Sequence, residues 1–132
     1  MSDKQQGFDT LQIHAGAAPD PATGARQTPI YQSTAFVFQD ADHAARLFNL
    51  QEVGYIYSRL TNPTVAALAE RITHLESGAG GICCSSGHAA QIMALFPLMR
   101  PGCNIVASTR LYGGTVTQFS QTIKRFGLPA KA

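Results

Sequence analysis

Gly81-Ile82-Cys83-Cys84-Ser85-Ser86-Gly87-His88-Ala89-Ala90-Gln91 is the stretch on which the fold turns. Ile82 to Cys84 is a short run of buried-type residues between Gly81 and Ser85, and it predicts a strand. Ala89, Ala90, Ile92, Met93, Leu95 and Phe96 then repeat with helical spacing. Between them lies Ser85-Ser86-Gly87. A strand that turns through serine and glycine into a helix leaves the first helical N–H groups without partners and aimed at one spot. The partial positive charge of the helix N-terminus adds to them, so the turn suits a phosphate. Glycine permits close approach of the backbone, and serine hydroxyls can donate further hydrogen bonds. A plain N-cap without any ligand has the same signature, so the flanking chain must arbitrate.

Working outward, composition narrows the classes. A chain of 132 residues has enough length to bury a core. Apolar residues make up 45% and charged ones only 14%, which leaves little for a highly charged surface or a disordered tail. So low a charged fraction points to a surface covered by other subunits or by further chain. The formal net charge of +2 is small and scattered, without a basic run or a groove of stacking aromatics, and argues against nucleic acid. No apolar run approaches the roughly 20 residues of a membrane span. The opening Met1-Ser2-Asp3-Lys4-Gln5-Gln6-Gly7 has no hydrophobic signal core, so a cytoplasmic location and no membrane partner are expected. Cys83, Cys84 and Cys103 form no zinc spacing, and are expected to be small buried hydrophobes kept reduced. His14, His43, His74 and His88 are far apart, so no metal site is expected.

Upstream, residues 1–30 are broken by Gly7, Gly16, Pro19, Pro21, Gly24 and Pro29, and predict an extended arm lying on another body. Thr34 to Phe38 predicts a short extended run, and Asp40 caps a short helix ending at Phe48. Asn62 before Pro63 is a strong helix start. Val65, Leu68, Ala69, Ile72 and Leu75 form one stripe on the helix predicted over residues 63–76. Downstream, Arg100-Pro101-Gly102 closes the second helix and Asn104 to Ala107 predicts another strand. A third helix opens after Leu111-Tyr112-Gly113-Gly114-Thr115, with Val116, Phe119, Ile123 and Phe126 on one face and Gly127 at its C-cap. Helices alternating with strands are the grammar of a layered α/β domain with parallel strands, and two strands mark the opening of a larger one.

Several motifs can be set aside. Gly78-Ala79-Gly80-Gly81 precedes the predicted strand, whereas a dinucleotide fingerprint follows one. No Walker lysine follows Ser85-Ser86-Gly87, and no Gly-x-Ser-x-Gly elbow occurs. Tyr57-Ser58-Arg59 is more informative. In extended geometry Tyr57 and Arg59 project to the same side, where a phenol and a guanidinium can hold a phosphate dianion. A solvated arginine beside a packed tyrosine remains the other account. Tyr112 is expected beyond the carboxyl end of a strand, where ligands of open α/β sheets bind and where a ring can stack on a flat cofactor. A tyrosine simply packed at a loop fits as well.

Taken together, Tyr57-Ser58-Arg59-x-x-Asn62-Pro63-Thr64, Ser86-Gly87-His88-Ala89-Ala90 and Leu111-Tyr112-Gly113-Gly114-Thr115 resemble the cysteine/methionine-metabolism family of pyridoxal-phosphate enzymes. His14-Ala15-Gly16 and Pro29-Ile30-Tyr31-Gln32-Ser33-Thr34 are similar to that family's N-terminal arm. Ala90-Gln91, Phe36-Val37-Phe38 and Asn104 to Ser108 resemble its O-acetylhomoserine sulfhydrylase branch. The resemblance implies the N-terminal part of an aspartate-aminotransferase-like (fold type I) α/β domain. It implies residues 1–60 as arm, short helix and inter-subunit segment, and residues 61–132 as the incomplete start of the large cofactor domain.

For activity the resemblance implies γ-replacement on O-acetylhomoserine with sulfide or methanethiol, giving homocysteine or methionine. The cofactor implied is pyridoxal 5'-phosphate, in a homotetramer built as a dimer of dimers. Ser86, Gly87 and His88 would bind the cofactor phosphate, the last two through backbone N–H groups. Tyr57 and Arg59 would reach the phosphate of the neighbouring subunit's cofactor. Tyr112 would stack on the pyridine ring and serve in proton transfer, making it the catalytic candidate. His88 departs from the Gln or Met common there, and Gly114 stands where methionine γ-lyases carry a reactive cysteine. The lysine that holds the cofactor, the acidic partner of the pyridine nitrogen and the arginine for the substrate carboxylate belong to chain beyond these residues. Lys4, Lys124 and Lys131 fall in no family lysine motif, so the 132 residues alone are expected to be inactive. Cystathionine γ-synthases and lyases share the same three stretches and are the alternative, as is a non-catalytic phosphate-binding or assembly module.

Overall fold

The computed structural model describes residues 6–127 and the backbone course of Ala130 and Lys131. Lys4 and the side chain of Lys131 lie outside the described residues, as does the rest of the N-terminal leader. The chain divides into two compact units, Met1–Cys83 and Cys84–Ala132.

The first unit opens with α1 (Phe8–His14), where an extended arm was expected. Gly7 and Gly16 bracket this segment rather than interrupt it, and the seven residues between Gly7 and Ala15 contain neither glycine nor proline. Asp9 lies in the first turn, where its charge complements the helix dipole. Beyond Ala17 the arm is shaped by Asp20. Its Oδ1 accepts from the Ala22 N–H at 3.1 Å, the Thr23 N–H at 2.8 Å and the Thr23 hydroxyl at 2.9 Å. The Tyr31 hydroxyl donates to Oδ2 at 3.3 Å. Thr23 above all holds the Asp20 carboxyl below the usual carboxylate range. Burial, followed by the Asp20 charge, pushes the Tyr31 phenol up.

The helices α2 (Ala41–Phe48) and α3 (Pro63–Leu75) start as the sequence predicts. The Asp40 side chain accepts from the His43 N–H at 2.6 Å, and the Asn62 side chain accepts from the Thr64 N–H at 2.9 Å. Buried Asn62 also donates to the Tyr31 carbonyl at 2.9 Å, while the Thr64 hydroxyl accepts from the Tyr31 N–H and donates to the Pro29 carbonyl, each at 2.9 Å. The arm therefore fixes the first turn of α3. Further along α3, Arg71 donates to the carbonyls of Ala15 at 2.9 Å and Ile13 at 3.3 Å, capping the end of α1.

The second unit holds α4 (Gly87–Leu95), β1 (Ile105–Val106), α5 (Gly113–Thr117) and β2 (Ala130–Lys131). β1 and β2 pair in parallel, with Ile105 opposite Ala130. Ile82 to Cys84 was expected to be a strand but carries no sheet pairing among the described residues. A strand exists only through its ladder, and residue type supplies half of that condition. Cys83 is exposed and Cys84 half-buried, so the expectation of buried cysteines fails with the same missing neighbours. After α5 the chain widens through a π-type turn, Gln118–Thr122, and tightens through Ile123–Phe126. That change of pitch breaks the expected common face: Ile123 is buried, whereas Val116 and Phe126 are exposed. Gly127 ends the run at φ 72°, the left-handed cap expected of it.

Candidate functional site

In the second unit the site begins at the start of α4. Ser86 is its N-cap, and its Oγ accepts from the Ala89 N–H at 3.2 Å. The Ser86 carbonyl accepts from Ala90 N–H at 3.0 Å. That leaves the N–H groups of Gly87 and His88, to which no acceptor is assigned among the described residues. The Ser86 hydroxyl proton stays free to donate beside them. Space is available too, since a Cβ built on Gly87 would meet nothing within 4 Å. Two aligned donors, a helix N-terminus and open volume fit a phosphate dianion.

Tyr112 occupies the N-cap position of α5, and its carbonyl accepts from the Thr115 N–H at 2.9 Å. Tyr112 is 76% exposed, which leaves its ring accessible for stacking. His88 and Tyr112 lie together, with ring centroids 6.1 Å apart and planes inclined by 32°. The structure thus brings together four sequence-predicted residues, Ser86, Gly87, His88 and Tyr112. The residues present fit the phosphate and ring of pyridoxal phosphate.

Two side-chain amides lock this arrangement, buried Gln118 and half-buried Gln91, and sequence reasoning gave neither of them this contact. Gln118 Nε2 donates to the His88 carbonyl at 3.0 Å, and Gln91 Nε2 donates to the Thr115 hydroxyl at 3.0 Å. Gln118 is 8% exposed and Thr115 5%. The available signal was a glutamine embedded between Val116 and Phe119, a polar residue in an apolar stripe.

Tyr57 and Arg59 belong to the first unit. Phe36 N–H donates to the Ile56 carbonyl at 3.1 Å and Ser58 N–H to the Thr34 carbonyl at 2.8 Å, pairing Ala35 with Tyr57 in an antiparallel bridge. After Tyr57 the chain turns, contrary to the extended triplet expected: the Tyr57 carbonyl accepts from Leu60 N–H at 2.8 Å and Thr61 N–H at 3.0 Å. The turn still brings the two side chains together, with the Arg59 guanidinium carbon 5.4 Å from the Tyr57 ring centroid. Stacking of this kind holds an arginine fork in a defined pose for an anion. Among the described residues no group of three or more His, Cys, Asp or Glu could hold a metal. None of the described helices is long and apolar enough to cross a membrane.

Residues 9–132 match the model of the Cys/Met metabolism PLP-dependent enzymes. The chain belongs to that family. The cofactor of the family is pyridoxal phosphate. An O-acetyl-L-homoserine sulfhydrylase of Thermus thermophilus is 51% identical over 124 residues, covering 94% of this chain and 30% of the relative. A homocysteine synthase of Schizosaccharomyces pombe is 50% identical over 131 residues, covering 99% of this chain and 30% of the relative. A crystal structure of a proposed O-acetylhomoserine (thiol)-lyase from Campylobacter jejuni, which contains N'-pyridoxyl-lysine-5'-monophosphate, superposes with a TM-score of 0.88 at 44% identity. That match covers 96% of this chain and 31% of the other. Cystathionine γ-lyase from Lactobacillus plantarum gives 0.79 at 35% identity, over 96% of this chain and 31% of the other. The fold is therefore that of part of a fold type I pyridoxal-phosphate domain. The chain spans about 30% of the length of the relatives it matches.

Proposed function

We propose that these residues form the N-terminal part of an enzyme catalysing γ-replacement on O-acetylhomoserine, with sulfide or methanethiol as sulfur donor and homocysteine or methionine as product. One observation carries the reading: the N–H groups of Gly87 and His88, without an assigned acceptor among the described residues, lie beside exposed Tyr112. Gly87 and His88 hold the cofactor phosphate through their backbone, and the Ser86 hydroxyl donates a third hydrogen bond. Tyr112 covers the pyridine ring, and its phenolic oxygen holds or moves a proton during catalysis. When bound, the cofactor supplies an electron sink that no side chain here provides. Tyr57 and Arg59 are assigned to the phosphate of a neighbouring subunit, in a cytoplasmic homotetramer of paired dimers. On this reading residues 1–60 are arm and inter-subunit contact, and residues 61–132 open the large domain. The cofactor-binding lysine, the acidic partner of the pyridine nitrogen and the arginine for the substrate carboxylate come from the remainder of the protein.

Identities near 50% to sulfhydrylases and homocysteine synthases, against 35% to a cystathionine γ-lyase, support γ-replacement with sulfide over the cystathionine reactions. The deciding experiment takes the whole natural protein, loads it with pyridoxal phosphate and offers O-acetylhomoserine plus sulfide, and separately cystathionine. Homocysteine formed from the first pair is expected. Cleavage of cystathionine without homocysteine from O-acetylhomoserine would overturn the assignment. The 132 residues alone should give no change in the cofactor's visible absorbance.

A further inference from the structure

We propose that His88 is a positioning residue for Tyr112: its imidazole braces the phenol ring across the gap left by Gly114, and so sets the pose in which Tyr112 meets the pyridine ring of pyridoxal phosphate. The role toward the cofactor rests on the function proposed above, whereas the bracing contact is a property of the chain itself. The argument starts at Gly114. A Cβ built there would lie 2.6 Å from Tyr112 Cε1, 2.8 Å from His88 Cε1 and 3.0 Å from His88 Nε2. Two rings thus fill the volume that any side chain at residue 114 would need. Their centroids stand 6.1 Å apart, within the range of aromatic pairs.

The roots of both rings are fixed. The His88 carbonyl receives the buried Gln118 amide at 3.0 Å, and Thr115, three residues beyond Tyr112, receives Gln91 at 3.0 Å. The tips are free: Tyr112 is 76% exposed. An exposed tyrosine with no neighbour would sample its staggered rotamers, and each departure would leave the cofactor ring uncovered. Packing one side against His88 removes part of that freedom before the cofactor arrives. One residue then ties the phosphate turn to the ring, its N–H facing the anion and its imidazole facing the tyrosine.

Gly114→Ala is the informative variant, because its clash is with the ends of two exposed side chains that can rotate away, so the fold should survive. In the cofactor-free whole protein, the His88 imidazole proton resonances, assigned by their loss in His88→Gln, should carry a ring-current shift from Tyr112. Tyr112→Leu and Gly114→Ala should both abolish that shift. Affinity for pyridoxal phosphate should fall about two- to tenfold in His88→Ala and Gly114→Ala, the scale of one aromatic contact. Affinity for inorganic phosphate should hold, because the backbone donors remain. His88→Phe, which keeps a ring, should restore cofactor affinity. Resonances indifferent to both Tyr112→Leu and Gly114→Ala would overturn the bracing contact. Unchanged cofactor affinity in His88→Ala would overturn its role in the site. Wild-type protein that binds neither pyridoxal phosphate nor phosphate would instead overturn the proposed function, and the resonance readout would still decide the contact.

Discussion

Gly16 and Gly24 offer a matched pair of perturbations. Both adopt left-handed backbone, φ +66° and +73°, so alanine at either position carries the same conformational penalty. They differ in what the new methyl meets. A Cβ at Gly24 has nothing within 4 Å, whereas one at Gly16 would lie 2.3 Å from the Ala67 carbonyl oxygen and 3.2 Å from the Arg71 nitrogen, both backbone atoms of α3. The left-handed term is about 1–2 kcal/mol, partly offset by the reduced entropy of the unfolded chain, which puts Gly24→Ala near 1 kcal/mol. At Gly16 the helix backbone cannot yield by the required ångström, so the arm must lift from α3. Lifting breaks the Arg71 hydrogen bonds to the Ile13 and Ala15 carbonyls. Charged hydrogen bonds contribute about 1.5–3 kcal/mol each when desolvated; discounted for partial exposure, the pair adds about 2 kcal/mol to the cost. Hydrogen exchange at the amides of Leu11 and Ala15, which close α1 onto Gly7 and Leu11, reads this directly. Gly16→Ala should lower their protection about 30-fold more than Gly24→Ala, the ratio equivalent to 2 kcal/mol. Equal protection in the two variants would refute the docking of the arm through Gly16.

Arg59→Ala in the whole protein should weaken retention of pyridoxal phosphate by about 1–3 kcal/mol, measured by equilibrium dialysis, with Arg59→Lys recovering only part of it; unchanged retention would remove Arg59 from the site. Tyr112→Phe should keep cofactor affinity and lower kcat, while Tyr112→Ala should lower both, so a Phe variant with full turnover would deny the hydroxyl a part in proton transfer. The Asp20 carboxyl, held below its ordinary 3.8, stabilises the arm above that value and loses the contribution as pH falls through its folded value. Protection of the Thr23 and Ala22 amides should therefore drop on acidification, and Asp20→Asn should flatten the profile; an identical acid limb in the variant would place its origin elsewhere.

Which features could be read from sequence follows from how far each signal must reach. The caps at Asp40, Asn62 and Ser86 need only a side chain and an N–H two or three residues away, and all three are realised. Gly127 needs only its own positive φ. The turn at Ser86-Gly87 into α4 and the turn at Tyr112 into α5 were legible for the same reason, being motifs within a few residues. Features that depend on distant chain were not. α1 is capped by Arg71, more than fifty residues away, so the glycines around it looked like breakers. Gln118 has meaning only through the His88 carbonyl, and Ile82 to Cys84 would need a neighbouring strand to become one itself.

Burial follows the same division. The buried apolar side chains among the described residues are Ala15, Ala17, Leu47 and Ile123, while Leu68 and Ile72 on α3 remain 56% and 50% exposed. Fully burying one such side chain stabilises by about 1.5–3 kcal/mol, whereas ordering one residue's backbone costs about 1–2 kcal/mol. Local caps and turns shape these helices but cannot by themselves offset that cost. The stripe of Val65, Leu68 and Ile72 keeps its helical spacing and its apolar character, and among the described residues it stays about half exposed. The chain corresponds to about 30% of the length of the relatives it matches. The residues proposed to grip phosphate and ring are thus set by caps and turns that need only neighbours a few residues away, whereas the apolar stripe of α3 needs a partner that local geometry does not supply.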